Sequence, residues 1–299
     1  SQALDRDILA FSNGALNFKI NGGKKLHGSI TVNASKNSAV AFLCAALLNE
    51  GKTLYRHMPR IEEVYRVIEV LESIGVKTRW IDNRDLEIVP PKKLDLESMD
   101  KAAAVKTRTV IMLIGPLIHL MKSFKLPQAG GCKLGSRTVR PHLYALENLG
   151  VDIKAIHDAY VVTHGKLHPS EIVLYETGDT ATENALMAAA KIPGKTVIKY
   201  ATANYMVQDL CYLLMKMGVR IDGIGTSTLT VHGVSSINKN IVETVSEDPI
   251  EAMMFISAAI ATDSKLTTTH CPIDFLELEL YKLQMMGLKF TKSKPYLAE

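Results

Sequence analysis

Cysteine is scarce in this 299-residue sequence: there are four, at positions 44, 132, 211 and 271, with no CxxC pair and no zinc spacing. That pattern excludes a disulfide scaffold and a structural zinc site. Aromatic residues make up only 6% of the chain, and no low-complexity tract or Pro- or Ser-rich linker interrupts it. Any domain boundary must therefore be a short crossover. An excess of one charge is also lacking. Thirty-five Lys and Arg against 31 Asp and Glu leave a net charge of +4, and no basic cluster exceeds two residues (Lys24-Lys25, Lys92-Lys93). This excludes a nucleic-acid-binding patch and suits an anionic small molecule. The uncharged run from Thr109 to Met121 is 13 residues long and broken by Gly115, Pro116 and His119, short of the about 20 apolar residues that a bilayer requires, so no membrane partner is expected. The opening SQALDRDILAFSNG has early acids and no continuous apolar run, unlike a signal peptide. A reducing cytoplasm is the expectation. No His-Glu pair has metalloprotease spacing, Gly135 is followed by Ser136 where a phosphate loop needs Lys, and Gly223-x-Gly225 lacks a third glycine at 228. No metal and no cofactor is implied.

What is present is a hydrophobic content of 47%, on a length that suits about two domains, and an internal repeat. GKTLYRHMPRIEEVYRVIEVLESIGVKT from Gly51 aligns with GKTVIKYATANYMVQDLCYLLMKMGVRI from Gly194 and DSKLTTTHCPIDFLELELYKLQMMGLKF from Asp263. In each, 24 positions separate the first residue from a glycine: Gly75, Gly218 and Gly287. A fourth copy ends HLYALENLGVDI at Gly150, its front half replaced by SFKLPQAGGCKLGSRTVRP. Each unit reads helix, strand, helix, strand. Ile61, Val64, Ile68 and Leu71 form one helical stripe, with Glu62 and Arg66 at i, i+4 expected on its solvent side. The glycine after each second helix suits a left-handed cap, and the β-branched residues beyond it restart a strand. Alanine-rich helices at 38–49, 183–192 and 251–261 are expected to be buried. Met187, Met215, Met217, Met253 and Met254 belong to such apolar faces, and Cys44 and Cys211 read as core residues.

Three segments stand out for chemistry. Leu126 to His142 has three glycines, two prolines and no periodicity, which predicts a long loop. Within it Cys132 lies between Gly131 and Lys133, with Arg137 and Arg140 five and eight residues on. Cationic neighbours lower a thiol pKa, so Cys132 reads either as a reactive thiol or as a free cysteine in a surface loop. Lys36-Asn37 sits where a strand gives way to a helix capped by Ser35 or Asn33. A lysine in that first turn opposes the helix dipole unless an anion sits beside it; otherwise it is simply solvated. Arg108 heads the otherwise apolar KTRTVIMLIGP, an expensive place for a cation without an anionic partner.

With the repeat, these segments resemble the enolpyruvyl transferases, on the branch that uses UDP-N-acetylglucosamine. The resemblance runs from residue 20 to the end and rests on Lys36-Asn37, on Arg108 before Gly115-Pro116, and on GGCxxGxR at 130–137 after Pro127. It also rests on ATEN at 181–184 and on Asp248-x-x-Glu251. The resemblance implies an inside-out α/β barrel of repeated βαβαββ units, EPSP synthase-like, in two domains with a discontinuous second domain. Residues 36–246 would be a complete three-repeat domain carrying the cysteine loop, and residues 1–35 with 247–299 part of the second. Helices 36–49, 101–122 and 182–192 would lie buried side by side, with three small sheets outside.

The implied reaction moves the enolpyruvyl group of phosphoenolpyruvate to the 3′-hydroxyl of UDP-N-acetylglucosamine and releases phosphate, in peptidoglycan synthesis. Cys132 would add to phosphoenolpyruvate and be alkylated by fosfomycin. Lys36 and Arg137 would hold phosphoenolpyruvate. Asn37, Arg108, Thr138, Val139, Arg140, Pro141 and His142 would hold the nucleotide sugar, together with Thr177, Gly178 and Asp179 at a strand-to-helix turn. Two departures bear on the acceptor. Arg140 and Pro141 stand where the family has aspartate and leucine, and Ala203-Asn204-Tyr205-Met206 replaces an acidic segment. A diverged enolpyruvyl transferase with another acceptor, or a non-catalytic nucleotide-sugar-binding homologue, are the alternatives. The family has six units and this chain four. The missing two supply a catalytic aspartate and two arginines, so the expectation for these residues alone is binding without turnover and a tendency to self-associate.

Overall fold

The computed structural model describes residues 21–128, 139–157 and 159–294. The sequence repeat reappears as a repeated sheet topology. In the first unit β2 (Thr53–Arg56) leads through α2 (Glu62–Ser73) to β3 (Lys77–Trp80) and β4 (Leu86–Val89), paired in the order β2-β4-β3, all antiparallel. The second unit repeats that order with β5 (Ser123–Pro127), α5 (Arg140–Glu147), β6 (Val151–Ile156) and β7 (Ala159–His164). The third does so with β9 (Gly194–Lys199), α7 (Tyr205–Met217), β10 (Arg220–Asp222) and β11 (Thr228–Gly233). In two of the sheets a parallel strand is added at the first strand: β8 (Glu171–Val173) beside β9, and β12 (Ile241–Thr244) beside β2. A fourth, two-stranded parallel sheet joins β1 (His27–Thr31) to β13 (Lys265–Thr269).

The physical logic of each unit is local. After its second helix the chain must reverse, and Gly75, Gly150, Gly218 and Gly287 all have positive φ, between 92° and 104°, a conformation that glycine adopts without a Cβ clash. Strands β2, β4, β5, β7 and β11 alternate buried with less buried residues, so each sheet presents one apolar face inward. The helices α1 (Lys36–Ala45) and α6 (Asp179–Ala190) lie in the core, their small residues buried nearly all round, including Cys44; Cys211 of α7 is fully buried as well. One apolar cluster runs from Ala39 to Val245, and a much smaller one joins Val32, Ala252, Leu276 and Leu280. The chain crosses between them twice, at paired segments where Ser35 N–H donates to the Ser246 carbonyl and Asp248 N–H to that of Asn33.

Four expectations are corrected. Residues 101–122 are not one helix but α3 (Lys101–Ala104), a 3-10 segment (Arg108–Leu113) and α4 (Ile114–Leu117). The first break is local, at Thr107, whose extended backbone separates α3 from the 3-10 segment that its side chain caps; the second is non-local. The Asn184 side chain accepts from Gly115 N–H at 2.8 Å and donates to the Ile111 carbonyl at 3.0 Å, so an amide sits where the helical bond between 115 and 111 would form. Next, the loop is shorter than 126–142. Leu126 and Pro127 complete β5, and Arg140, Pro141 and His142 open α5, where proline's missing N–H has no partner to lose. Third, the alanine-rich helix α8 (Pro249–Ala261) buries only Pro249 and Ala252, because among the described elements little beyond β13 packs on it; Met254 is exposed and Met253 half-buried. Met215 is also exposed, on the outer side of α7, whereas Met187 and Met217 are core residues as expected. Fourth, Arg66 is no solvent-side residue. Its side chain is only 16% exposed, its Nε is buried, and it contacts Glu62 at 3.7 Å and Glu69 at 2.7 Å.

Candidate functional site

A cleft of about 1240 Å³ opens where the first turns of α1, α2 and α6, the start of the 3-10 segment and the first turn of α5 converge. Residues up to 170 positions apart in sequence line it, from Lys36 and Asn37 to Met206. Each edge has a local reason. Ser35 caps α1 by accepting from Ser38 N–H, which leaves Lys36 in the first turn. Thr107 caps the 3-10 segment by accepting from Thr109 N–H, which sets Arg108 at its head. Glycine at 178 ends the turn after β8 and starts α6 without a capping side chain.

The anion that Lys36 requires against the helix dipole is supplied by Glu63, at 2.8 Å. The same carboxylate accepts from Thr109 Oγ1 at 3.0 Å and Thr107 Oγ1 at 3.2 Å. Burial works against its charge, but the Lys36 ammonium and the two hydroxyls outweigh it and hold Glu63 below the usual carboxylate range. Arg66, Lys106 and Arg108 add cations to the cleft, and Glu62, Glu176 and Asp179 add carboxylates.

On the opposite side the Asn184 amide that bridges Ile111 and Gly115 also reaches His142 Nδ1, at 3.2 Å, and His142 Nε2 meets Thr180 Oγ1 at 3.2 Å. Burial, aided by the nearby Arg108 charge, brings the His142 pKa down to about 4, so the ring is neutral near pH 7. Beneath them lies Glu183, 2% exposed, with an Oε1 that has no hydrogen-bond partner among the described residues. Burial first, then the Asp179 and Asp209 carboxylates, raise its pKa well above the ordinary value. The folded chain therefore holds a proton that the unfolded chain releases, and stability falls as pH rises above the unfolded value towards the folded one. Glu183→Gln should raise the melting temperature at pH 8, by about 2–4 °C for each kcal/mol recovered, and the gain should shrink towards pH 5. A gain that is constant across that range would mean Glu183 is not held protonated.

Of the residues singled out in the sequence, Lys36, Asn37, Arg108, Pro141, His142, Thr177, Gly178 and Asp179 line this one cleft. Val139 packs against the main core and Arg140 is exposed, both just outside the lining. Cys132, Arg137 and Thr138 lie outside the described residues. Sequence reasoning missed Glu63, Thr107, Thr109, Thr180 and Glu183 as parts of the cleft; a carboxylate within the otherwise alanine-rich stretch 181–190 was the one available signal. Three thiols lie among the described residues. Burial, then the Glu183 charge, pushes Cys211 up to about 12 and Cys44 higher still, and burial alone raises Cys271. Iodoacetamide near neutral pH should therefore label Cys132 first, as peptide mass mapping would show; equal labelling of Cys271 would remove the reason to single it out. No cluster of three or more His, Cys, Asp or Glu side chains suited to a metal occurs among the described residues. No helix there is long and apolar enough to cross a membrane.

Known proteins share this architecture and sequence. UDP-N-acetylglucosamine 1-carboxyvinyltransferase 2 of Caldanaerobacter subterraneus subsp. tengcongensis is 34% identical over 281 residues, covering 94% of this chain and 66% of the relative. UDP-N-acetylglucosamine 1-carboxyvinyltransferase of Bradyrhizobium diazoefficiens is 32% identical over 273 residues, covering 91% and 63%. The chain thus spans a little under two thirds of these relatives' length. Among solved structures, the enolpyruvyl transferase NikO from Streptomyces tendae matches with a TM-score of 0.75 at 20% identity, over 90% of this chain and 64% of that one. EPSP synthase from Acinetobacter baumannii matches with a TM-score of 0.62 at 17% identity, over 80% and 54%. Both show the inside-out α/β fold that the family resemblance implies. A family match extends over residues 20–297, nearly the whole chain. From repeat, fold and match together, the chain belongs to the EPSP synthase (3-phosphoshikimate 1-carboxyvinyltransferase) family.

Proposed function

We propose that this chain forms the nucleotide-sugar wall of an enzyme that transfers the enolpyruvyl group of phosphoenolpyruvate to the 3′-hydroxyl of UDP-N-acetylglucosamine, releasing phosphate, in peptidoglycan synthesis. The observation that carries the reading is the convergence on one cleft of Lys36, Asn37, Arg108, Pro141, His142 and Thr177 to Asp179, which are separate in sequence. The chemistry requires a proton added to the methylene carbon, a proton removed from the hydroxyl, and fixed cations for phosphate and carboxylate. Lys36 and Arg108 supply cations, and Cys132 and Arg137 complete the set from the loop. On this reading residues 36–246 form the domain that carries the cleft, residues 1–35 and 247–299 belong to a second one, and the protein is cytoplasmic. Fosfomycin would alkylate Cys132. The exposed apolar residues Ile250, Met254, Tyr281 and Met285 support self-association through the second domain.

A second reading, transfer to a different hydroxyl acceptor, is favoured by the exposed Arg140 beside the cleft, where the resembling family has aspartate. Thermal shift separates the two. UDP-N-acetylglucosamine should raise the melting temperature by mass action, and shikimate 3-phosphate should not. A shift with neither ligand would refute the nucleotide-sugar reading.

A further inference from the structure

The hydrogen bonds around Asn184 fix the direction of every proton out to the cleft surface. Gly115 can only donate, so the Asn184 atom it meets at 2.8 Å is the oxygen Oδ1. Asn184 Nδ2 then spends one hydrogen on the Ile111 carbonyl at 3.0 Å and has its second for His142 Nδ1 at 3.2 Å. A neutral ring that accepts at Nδ1 carries its proton on Nε2. That Nε2–H faces Thr180 Oγ1 at 3.2 Å, so the threonine oxygen is the acceptor in this pair. The hydroxyl's own hydrogen is left over. Thr180 is exposed on the cleft, and among the described residues no protein acceptor takes that hydrogen.

We propose that Thr180 is a binding residue of the cleft, its hydroxyl set by the Gly115–Asn184–His142 chain to donate to an acceptor oxygen of the ligand. This deepens the functional reading above and rests on it: the oxygen is one of the nucleotide's diphosphate. Two further features favour an anionic acceptor over a donor. Thr180 is the second residue of the 12-residue α6, whose N-cap, Gly178, brings no side chain, so the first-turn N–H groups stay available beside the hydroxyl. Lys36 and Arg108 line the same cleft. The Glu176 and Asp179 carboxylates also line it, and they suit the hydroxyls of a ribose rather than the phosphates. The His142 Nε2–H fills one of the two acceptor sites of the hydroxyl and restricts its rotation, which lowers the ordering entropy of a hydrogen bond donated to the ligand.

The test is calorimetric titration of UDP-N-acetylglucosamine into the chain and its T180V and T180S variants. The nearly isosteric T180V should weaken binding about 10–100-fold, the range for a hydrogen bond to a charged group, and T180S should stay within about 3-fold of the original. Nitrogen-15 NMR of His142 in the free protein should show the Nε2–H form. A T180V variant that binds like the original, a T180S variant as weak as T180V, or an Nδ1–H ring would each overturn the inference while leaving the functional reading intact. An unmodified chain that binds no UDP-N-acetylglucosamine would overturn both.

Discussion

Replacing Gly115 by alanine should leave little folded protein. A Cβ at that position would stand 2.6 Å from Asn184 Oδ1 and 2.7 Å from the Asn184 backbone oxygen, so the helix α6 cannot keep its place. Displacing Asn184 strands three buried groups together: Gly115 N–H, the Ile111 carbonyl and His142 Nδ1. An unsatisfied buried polar group costs about 1–3 kcal/mol and overpacking adds a similar amount, so three such groups with overpacking cost roughly 4–12 kcal/mol. Domains have only about 5–15 kcal/mol to lose. Urea titration followed by circular dichroism should show the midpoint collapse. Near-normal stability in G115A would mean that α6 can move away from Gly115 at little cost.

The second large effect concerns charge. Lys36→Ala should weaken binding of an anionic ligand about 100-fold, as the loss of charge-assisted hydrogen bonds predicts, and more at low salt than at high salt. The substitution does more than remove one cation. Glu63 loses the partner at 2.8 Å that offsets its burial, so a carboxylate without that compensation now faces the incoming phosphate. Lys36→Ala with Glu63→Gln should therefore recover part of the loss, and titration calorimetry on the single and double variants measures it. If Lys36→Ala binds as tightly as the original, the lysine serves only its ion pair.

Much of this could be read from the sequence, and the dividing line is physical. A left-handed glycine is set by its own backbone and neighbours, so the four caps at Gly75, Gly150, Gly218 and Gly287 were legible, and with them the repeat. Lys36 and Arg108 were conspicuous because a cation at those places needs an anion, a requirement visible without knowing where the anion lies. Its identity was not visible: Glu63 is 27 positions away, and only the packing of α2 beside α1 brings it within 2.8 Å. The same limit explains the change of helical bonding between Ile111 and Gly115, which a side chain 69 positions away from Gly115 interrupts. It also explains Arg66, whose i, i+4 partner was read correctly while its exposure was not. Periodicity states that two residues share a face; it does not state which face another element covers. Thr180 and Glu183 became parts of the site only when α6 turned one side to the core and its first turn to the cleft.

On this reading nucleotide sugar binds where the first turns of α1, α5 and α6 meet. Chemical-shift mapping with UDP-N-acetylglucosamine tests it most directly. Perturbations should cluster on Asn37, Arg108, His142 and Thr177 to Thr180. Perturbations confined to the smaller depression lined by Arg56, His57 and Asp82 to Asp85, with the cleft unchanged, would contradict it.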